Sequence, residues 1–176
     1  MLPIFMGEDL FYKLEQAVKE GKTFGRNNIY DLGGDVLAKR CSFGFRARNE
    51  QRWADFLREN GIKTPKIYGV VHGVPWLLRR FSSQLIKDHY VLMEKIEGER
   101  QQHLTGDQAI DSRRQYREAL EKAVSLGVNP FDYHGGNALY DSHGHLYLID
   151  FESWSKLRPW KSRKSTIRAI REKIPQ

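Results

Sequence analysis

The sequence predicts an α+β protein in which an antiparallel sheet precedes a shorter, mostly helical region. Two stretches have the composition of β-hairpins, one around Gly33-Gly34 and one around residues 141–144. Other segments carry apolar residues at helical spacing. With 176 residues, of which 40% are hydrophobic, the chain is long enough for one ordinary domain or for two small lobes that share a cleft.

Two packing helices are predicted in the N-terminal third. The first covers residues 7–21, with acidic residues in its first turn and Gly21 at the C-cap position. The second covers residues 46–60 and carries an apolar stripe that includes Trp53. Glu50 lies on that stripe, and a carboxylate on a core-facing side needs a cation. The alternative for Glu50 is a solvated acid that favours the helix N-terminus.

The first hairpin places a lysine beside a turn of small and polar residues. If Gly33 and Gly34 form the loop, paired positions sum to 67 and Asn28 faces Lys39. Lys39 then supplies the cation for Glu50 and lies opposite the end of the turn formed by Gly25, Arg26, Asn27 and Asn28. A lysine charge beside backbone N–H groups can hold a phosphate. An ordinary hairpin turn without a ligand is the other interpretation.

The middle of the chain holds two more predicted strands and a long helix. The strands cover residues 67–71 and 90–93, and the connection between them contains Trp76–Phe81, which is consistent with an extra strand or a substrate-facing arm. The helix covers residues 105–127, with Thr105 as the N-cap and Ile110 among its apolar positions. We interpret this helix as scaffold.

Three polar residues bracket the second hairpin. If His143 and Gly144 are its loop residues, paired positions sum to 287 and Asn137 faces Asp150, with Cβ atoms about 4.5–5.5 Å apart. Carboxylate and amide oxygens at one hairpin end suit Mg²⁺. Asp132 lies five residues before Asn137, on the loop that leads into the hairpin.

Two other interpretations of this stretch stay open. Asp and Asn residues near turns commonly just satisfy backbone groups. His134, His143 and His145 are also close in sequence to the acidic residues, which would suit zinc or another transition metal.

The spacing Asp132-x4-Asn137, followed by a hairpin and Asp150-Phe151, resembles the catalytic loop and the metal-binding Asp-Phe-Gly of protein kinases. The resemblance implies that Asp132 receives the proton of the acceptor hydroxyl and that Asn137 and Asp150 hold Mg²⁺. Residues 36–39, Val-Leu-Ala-Lys, resemble the Val-Ala-Ile-Lys of the third kinase strand. By that resemblance Lys39 positions the phosphates of ATP and Glu50 orients Lys39.

The segment Met93-Glu94-Lys95-Ile96 resembles the linker between kinase lobes, whose backbone hydrogen-bonds adenine. It implies that Glu94 and Ile96 lie at the nucleotide, and that residues 1–96 form the nucleotide-binding lobe. Residues 97–176 would form a lobe with the catalytic loop, the metal-binding hairpin and a basic tail. The implied architecture is a minimal protein-kinase-like bilobal fold with ATP between the lobes.

Several positions depart from eukaryotic protein kinases. The loop has Gly25 but not the Gly-x-Gly-x-x-Gly triplet, Pro130 and Phe131 occupy the His and Arg places, and Glu152 replaces the last Gly of Asp-Phe-Gly. In its reduced glycine loop the chain is more similar to compact RIO kinases and aminoglycoside phosphotransferases. Residues 132–137 resemble the Asp-x-His-x-Gly-Asn of aminoglycoside and related small-molecule kinases. With 24 residues after Glu152, we expect no peptide platform of the usual kind.

The excess positive charge lies in the C-terminal tail. The net charge is +7, and residues 155–176 hold eight Lys or Arg against Glu172 alone. Ile167, Ile170 and Ile174 share one face of a predicted helix there. The tail is either a solvated basic helix or a surface for RNA phosphates. The candidate RNA-binding residues are Lys161, Arg163, Lys164, Arg168 and Arg171.

Composition and the resemblance together predict a class of function. Cys41 is the one cysteine, the start of the chain lacks a signal-peptide pattern, and no stretch approaches about 20 apolar residues, so we expect a soluble cytoplasmic protein. The resemblance implies a kinase that uses ATP and Mg²⁺. The tail, and RIO-like relatives in ribosome and tRNA biology, favour an RNA acceptor, tRNA in particular. Protein kinase, small-molecule kinase and non-catalytic RNA-binding pseudokinase are the alternatives.

Overall fold

The computed structural model describes residues 8–21, 23, 28–72, 88–158 and 160–175. The chain divides into two compact units. The first comprises residues 1–51 and 66–95, and the second comprises residues 52–65 and 96–176. Residues 52–65 therefore group with the C-terminal half of the chain, although they are close in sequence to the first sheet.

The first unit is built on a four-stranded antiparallel sheet. Its strands are β1 (Ile29–Asp31), β2 (Val36–Cys41), β3 (Ile67–Val71) and β4 (His89–Glu94), in the spatial order β1-β2-β4-β3. Helix α1 (Glu8–Glu20) contacts this sheet and buries Leu14 completely, together with Ala38 and Leu92 of the sheet. The spacing of apolar residues that predicts α1 is thus explained by one buried face.

Helix α2 (Gly44–Glu59) follows β2, and the division between the units falls within it. In the second unit its C-terminal half buries Trp53, Ala54 and Leu57. The Trp53 indole N–H donates to the Trp154 carbonyl at 2.9 Å, and the Thr64 hydroxyl donates to the Ala54 carbonyl at 2.9 Å. Buried polar groups are therefore paired where this half of the helix packs.

The second unit combines two further helices with short strands. Its helices are α3 (Gly106–Ser125) and α4 (Arg163–Lys173). Strands β5 (Gly98–Arg100), β7 (Ala138–Asp141) and β8 (Leu146–Leu148) form a three-stranded sheet, and β6 (Val128–Asn129) pairs with β9 (Ser155–Lys156). Two 3₁₀ turns cover residues 101–103 and 135–137. α4 packs on α3 and buries Ile170 completely, as its apolar spacing predicts.

The first hairpin has a different register from the one predicted. Ile29 pairs with Lys39, so paired positions sum to 68, and the Arg40 N–H donates to the Asn28 carbonyl at 2.7 Å. Asn28 therefore faces Arg40 and not Lys39. The loop has three residues, because the Asp31 carboxylate accepts the Gly33 N–H at 2.9 Å and both glycines adopt positive φ.

The second hairpin differs from its prediction in the same way. Ala138 pairs with Leu148, so paired positions sum to 286, and the Ile149 N–H donates to the Asn137 carbonyl at 3.0 Å. Asn137 thus faces Ile149, and the prediction that it faces Asp150 is wrong. The loop again has three residues, since Asp141 accepts the His143 N–H and Gly144 has a φ of 79°.

Some predicted features differ or fall outside the described part. Ile110, predicted as an apolar packing position of α3, is 62% exposed, and Thr105 makes no side-chain cap bond although it is the N-cap. The arm Trp76–Phe81 lies outside the described residues. Among the helices described, none is both long and apolar enough to cross a bilayer.

Candidate active site

A buried ion pair lies within the first unit. Lys39 is in the middle of the central strand β2, and its Nζ is 3.2 Å from Oε2 of Glu50 on α2; the two side chains are 8% and 3% exposed. Removing two charges from water costs several kcal/mol each, and good geometry is needed to offset that cost. The structure thus brings together the two residues that the apolar stripe of α2 and the first hairpin pointed to.

The other predicted nucleotide contacts of this region are partly described. Gly25, Arg26 and Asn27 lie outside the described residues, and Asn28 precedes β1. Glu94 ends β4, where its carboxylate accepts the Lys66 N–H at 3.0 Å. Ile96 follows as a half-buried residue. The Glu94 side chain therefore has a structural partner of its own, and its role at a nucleotide stays a prediction.

The loop from Asp132 to Asn137 has an unusual backbone held by side chains. Asp132 adopts a φ of 57°, in the left-handed region that non-glycine residues rarely occupy. The Asn137 Nδ2 donates to the Asp132 carbonyl at 2.9 Å, and His134 Nδ1 accepts the Gly136 N–H at 3.1 Å. Strained conformations of this kind persist where the surroundings determine them, and they cluster at functional sites.

Helix α3 supports this loop through a buried tyrosine. The Tyr116 hydroxyl donates to the His134 carbonyl at 3.0 Å. Burial raises the pKa of the Tyr116 phenol far above its ordinary range, and the charge of Asp132 adds to the effect. Tyr116 therefore remains a hydrogen-bond donor at any physiological pH, and the loop carbonyl keeps its partner.

Close backbone packing explains the two glycines of this loop. A Cβ atom built on Gly135 would lie 2.1 Å from the Gln101 side chain, and one on Gly136 would lie 2.9 Å from the His134 ring. The Arg100 guanidinium also donates to the Gly136 carbonyl. Sequence reasoning missed Arg100, Gln101 and Tyr116, because they contact loop residues 18 or more positions away along the chain, as the bond from Tyr116 to His134 does.

Asp150 is the second non-glycine residue with positive φ among the described residues, at 69°. It follows the last strand of the second hairpin, and the next residue, Phe151, is 1% exposed and packs edge-on against Trp154 with ring centroids 5.0 Å apart. Burial of Phe151 fixes the chain on one side of Asp150. Asp132 and Asp150, both singled out by the sequence, are thus the two non-glycine residues with left-handed backbone in the described part of the chain.

The residues of this unit fit a hard cation. Asn137 is 6% exposed, and its Oδ1 is buried without a hydrogen-bond partner among the described residues. Because Nδ2 must face the Asp132 carbonyl to donate, the orientation of the amide is fixed. Oxygen atoms of Asp150 and Glu152 approach within 4.8 Å of each other. Mg²⁺ binds oxygen ligands, and the unpaired amide oxygen of Asn137 and the carboxylates of Asp150 and Glu152 are ligands of that kind.

The histidines are not arranged for a transition metal. His145 Nδ1 lies 3.3 Å from Asp141 Oδ2 at the turn of the second hairpin, and its ring is 6.4 Å from that of His143. Within the described ranges, no histidine belongs to a group of three clustered metal-ligating side chains. The alternative of a zinc site at His134, His143 and His145 therefore has no support in the geometry.

The basic tail is partly engaged within its own unit. Arg171 makes two hydrogen bonds to the Glu121 carboxylate, at 2.8 and 2.7 Å, and these bonds hold the pKa of Glu121 below its ordinary value. Arg168 pairs with Glu172 at 2.8 Å, and Lys161 donates to the Asn129 side chain. The tail helix α4 packs on α3.

Exposed cations remain at the start of α4. Arg163 and Lys164 are exposed, and together with Arg158 and Lys161 they line a depression beside Gly127. The first turn of α4 contains no acidic residue, so its N-terminal N–H groups add to the positive potential there. Of the five predicted RNA-binding residues, Arg163 and Lys164 are exposed and form no ion pair within the described residues.

Comparisons with known proteins bear on the fold. No protein-family model and no curated protein matches the chain. The chain is similar to solved structures of the bifunctional kinase-methyltransferase WbdD. A medium-resolution structure has a TM-score of 0.55 at 17% identity over 82% of this chain and 34% of that one. A 2.2 Å structure has a TM-score of 0.56 at 16% identity with the same coverage. A co-crystal structure of WbdD with the kinase inhibitor LY294002 has a TM-score of 0.51 at 17% identity over 78% and 32%.

The chain spans about a third of the length of these WbdD structures. At such low identity the likeness shows the fold alone. It confirms the predicted fold class, an α+β architecture with an antiparallel sheet in the first unit and a mostly helical second unit. The chain therefore has a protein-kinase-like fold.

Proposed function

We propose that the protein is an ATP- and Mg²⁺-dependent phosphotransferase that moves the γ-phosphoryl group to a hydroxyl of a macromolecule. One observation carries the proposal. The buried Asn137 Oδ1, at the end of the loop that begins at Asp132, has no hydrogen-bond partner in the described part of the chain, and both Asp132 and Asp150 have left-handed backbone. Leaving a buried acceptor unsatisfied costs about 1–3 kcal/mol, which a bound cation would remove.

Each residue has a separate role in this proposal. Lys39, held by Glu50 at 3.2 Å, binds phosphate oxygens as a point charge. Asn137 and Asp150 would hold Mg²⁺, which neutralises charge on the phosphates when it is bound. Asp132, whose side chain is 66% exposed, orients the acceptor hydroxyl and accepts its proton. Phosphoryl transfer depends mainly on alignment and charge stabilisation, which these groups supply.

The transfer forms one bond to phosphorus and breaks another. The acceptor oxygen forms a bond to the γ-phosphorus, the bond between that phosphorus and the β,γ-bridging oxygen breaks, and ADP leaves. The hydroxyl proton passes to the Asp132 carboxylate. No additional reactant is needed.

We propose RNA, and tRNA in particular, as the acceptor. The support is the charge distribution, because residues 155–176 carry the whole excess of +7 and Arg163 and Lys164 are exposed. Phosphate contacts from such residues dominate the affinity of proteins for nucleic acids. Arg168 and Arg171 contribute less to this proposal, since each already has an acidic partner.

The test is transfer of labelled γ-phosphate from ATP, with Mg²⁺, to separate pools of total RNA and total protein. Label in the RNA pool, abolished by chelation of Mg²⁺, is the expected result. Label in the protein pool alone would instead identify a protein kinase. Mg²⁺-dependent ATP binding without label in either pool, or in a small-molecule extract, would indicate the non-catalytic alternative and overturn the proposal.

A further inference from the structure

A cavity in the second unit adjoins the loop that carries Asp132. Its volume is about 320 Å³, and one wall consists of Tyr133, His134 and Gly135, the residues directly after Asp132. His134 Nε2 lies 3.9 Å from Asp132 Oδ2. A group bound in this cavity is therefore next to the carboxylate that would accept the proton of the acceptor hydroxyl.

The lining of this cavity is positively charged. Arg113 of α3 and Lys173 of α4 both line it, and its lining contains no acidic residue. Within the described residues, neither cation forms an ion pair. The neighbouring arginines behave differently, because Arg114 pairs with Asp111 and Arg171 pairs with Glu121. Two uncompensated cations in one concave site attract an anion.

Aromatic packing holds one of these cations in place. The Lys173 ammonium lies 4.5 Å from the centroid of the Tyr133 ring. Burial raises the pKa of the Tyr133 phenol, so the ring is neutral and does not cancel the lysine charge. The ammonium is thus positioned at the cavity with its full charge available.

We propose that this cavity binds the phosphodiester of the acceptor RNA that lies beside the hydroxyl to be phosphorylated. The inference rests on the proposed function and adds a recognition site distinct from the exposed cations at the start of α4. A phosphate beside the reacting hydroxyl is a constant feature of RNA, whereas a serine or threonine hydroxyl in a protein has neutral backbone neighbours. Arg113 and Lys173 are positioning residues that hold the acceptor.

The variants Arg113→Gln and Lys173→Gln, alone and combined, test the proposal with unfractionated tRNA as the probe. We expect kcat/KM for tRNA to fall about tenfold for each, mainly through KM, because each lost charge-assisted hydrogen bond weakens binding by that amount. The salt dependence of tRNA association should also flatten by about 0.7–0.9 per lost contact. The affinity for Mg-ATP should not change.

Matched controls remove the same charge elsewhere. Arg114→Gln alters the next residue of α3, and Lys122→Gln alters an exposed lysine in the last turn of α3; neither residue lines the cavity. If the cavity variants lose no more tRNA affinity than these controls, the inference is overturned. Arg113 and Lys173 are exposed, so we expect their replacement to leave the melting temperature unchanged. Measuring the melting temperature of each variant therefore shows whether a loss of tRNA binding is caused by a loss of folding.

The outcomes separate this inference from the proposed function. Wild-type transfer to tRNA with unaffected cavity variants overturns the inference and leaves the function standing. Absence of wild-type transfer overturns the function, while equilibrium tRNA binding by the same variants still decides the cavity. If the cavity variants lose transfer to phosphorylated small molecules but not to tRNA, the phosphate that binds in the cavity belongs to a small molecule, and the inference is overturned.

Discussion

The two units of the molecule differ in whether the buried side chains of their candidate site residues are satisfied within the protein. In the first unit, the buried charges of Lys39 and Glu50 are paired with each other. In the second unit, the buried Asn137 Oδ1 lacks a hydrogen-bond partner among the described residues, and the nearby Asp132 and Asp150 have left-handed backbone. The first arrangement is complete in the protein alone. The second becomes complete only when something else is bound, which is what a ligand-binding loop requires.

The largest effect should come from Asp132→Asn. Asparagine tolerates the left-handed backbone of Asp132, so the loop should keep its conformation while it loses the proton acceptor. We expect transfer to fall about 10²–10⁴-fold with Mg-ATP affinity nearly unchanged. Single-turnover transfer and calorimetric titration measure the two quantities. Near-normal turnover would remove Asp132 from catalysis, and Asp107→Asn, in the exposed first turn of α3, is the control.

The next largest effect tests whether the buried Lys39 charge in the first unit needs the Glu50 carboxylate for stability. Glu50→Leu leaves the Lys39 charge buried without its carboxylate, and we expect the free energy of unfolding to drop by about 3–5 kcal/mol. The double variant Lys39→Met/Glu50→Leu should regain most of that stability and remain inactive. Urea unfolding measures the stability. A single variant as stable as the wild type would show that the pair is not needed for folding.

Asn137→Ala tests the incomplete arrangement in the second unit. Without ligand, we expect stability to change by about 1 kcal/mol or less, because the lost bond to Asp132 is offset by removal of an unsatisfied oxygen. With Mg-ATP, the wild type should gain thermal stability by linkage and the variant should not. Thermal unfolding with and without Mg-ATP measures the difference. Asn129→Ala, which changes a residue of β6, should respond to Mg-ATP like the wild type.

The smallest effect concerns the exposed ion pair between Arg171 and Glu121. Their side chains are 61% and 22% exposed, so solvent screening keeps the contribution of this pair to stability small. The pKa of Glu121 is lowered in the folded protein, so this contribution is present above pH 4.5 and is lost as the pH falls through the folded value. Arg171→Gln should therefore lower stability at pH 7 and converge with the wild type in acid. A stability difference that does not shrink as the pH falls below 4.5 would contradict this assignment.

Much of the candidate site could be predicted from local sequence. A carboxylate on an apolar helix stripe needs a cation, which predicts a paired role for Glu50. The spacing of Asp132, Asn137 and Asp150 around a hairpin is visible directly in the sequence. Arg113 and Lys173 could not be predicted to meet, since they lie 60 residues apart on helices whose packing is a tertiary property. Counting charges in the sequence also overestimates how many cations of the tail are free to bind a ligand. Arg171 is paired with Glu121, and this pair could not be predicted because the two residues are distant in sequence.

The sequence by itself predicted the helices, the two hairpins and strands β3 and β4 in their order, because periodicity and turn composition act over a few residues. The short strands β5, β6 and β9 were not predicted, since they have only two or three residues each. Tertiary structure decided the register of both hairpins. A two-residue and a three-residue loop differ little in sequence, and the Asp31 and Asp141 side chains select the longer loop by accepting backbone N–H groups. Packing also decided the backbone of Asp132 and Asp150, since a residue adopts positive φ only where contacts such as those of Asn137 and Phe151 hold the chain on either side.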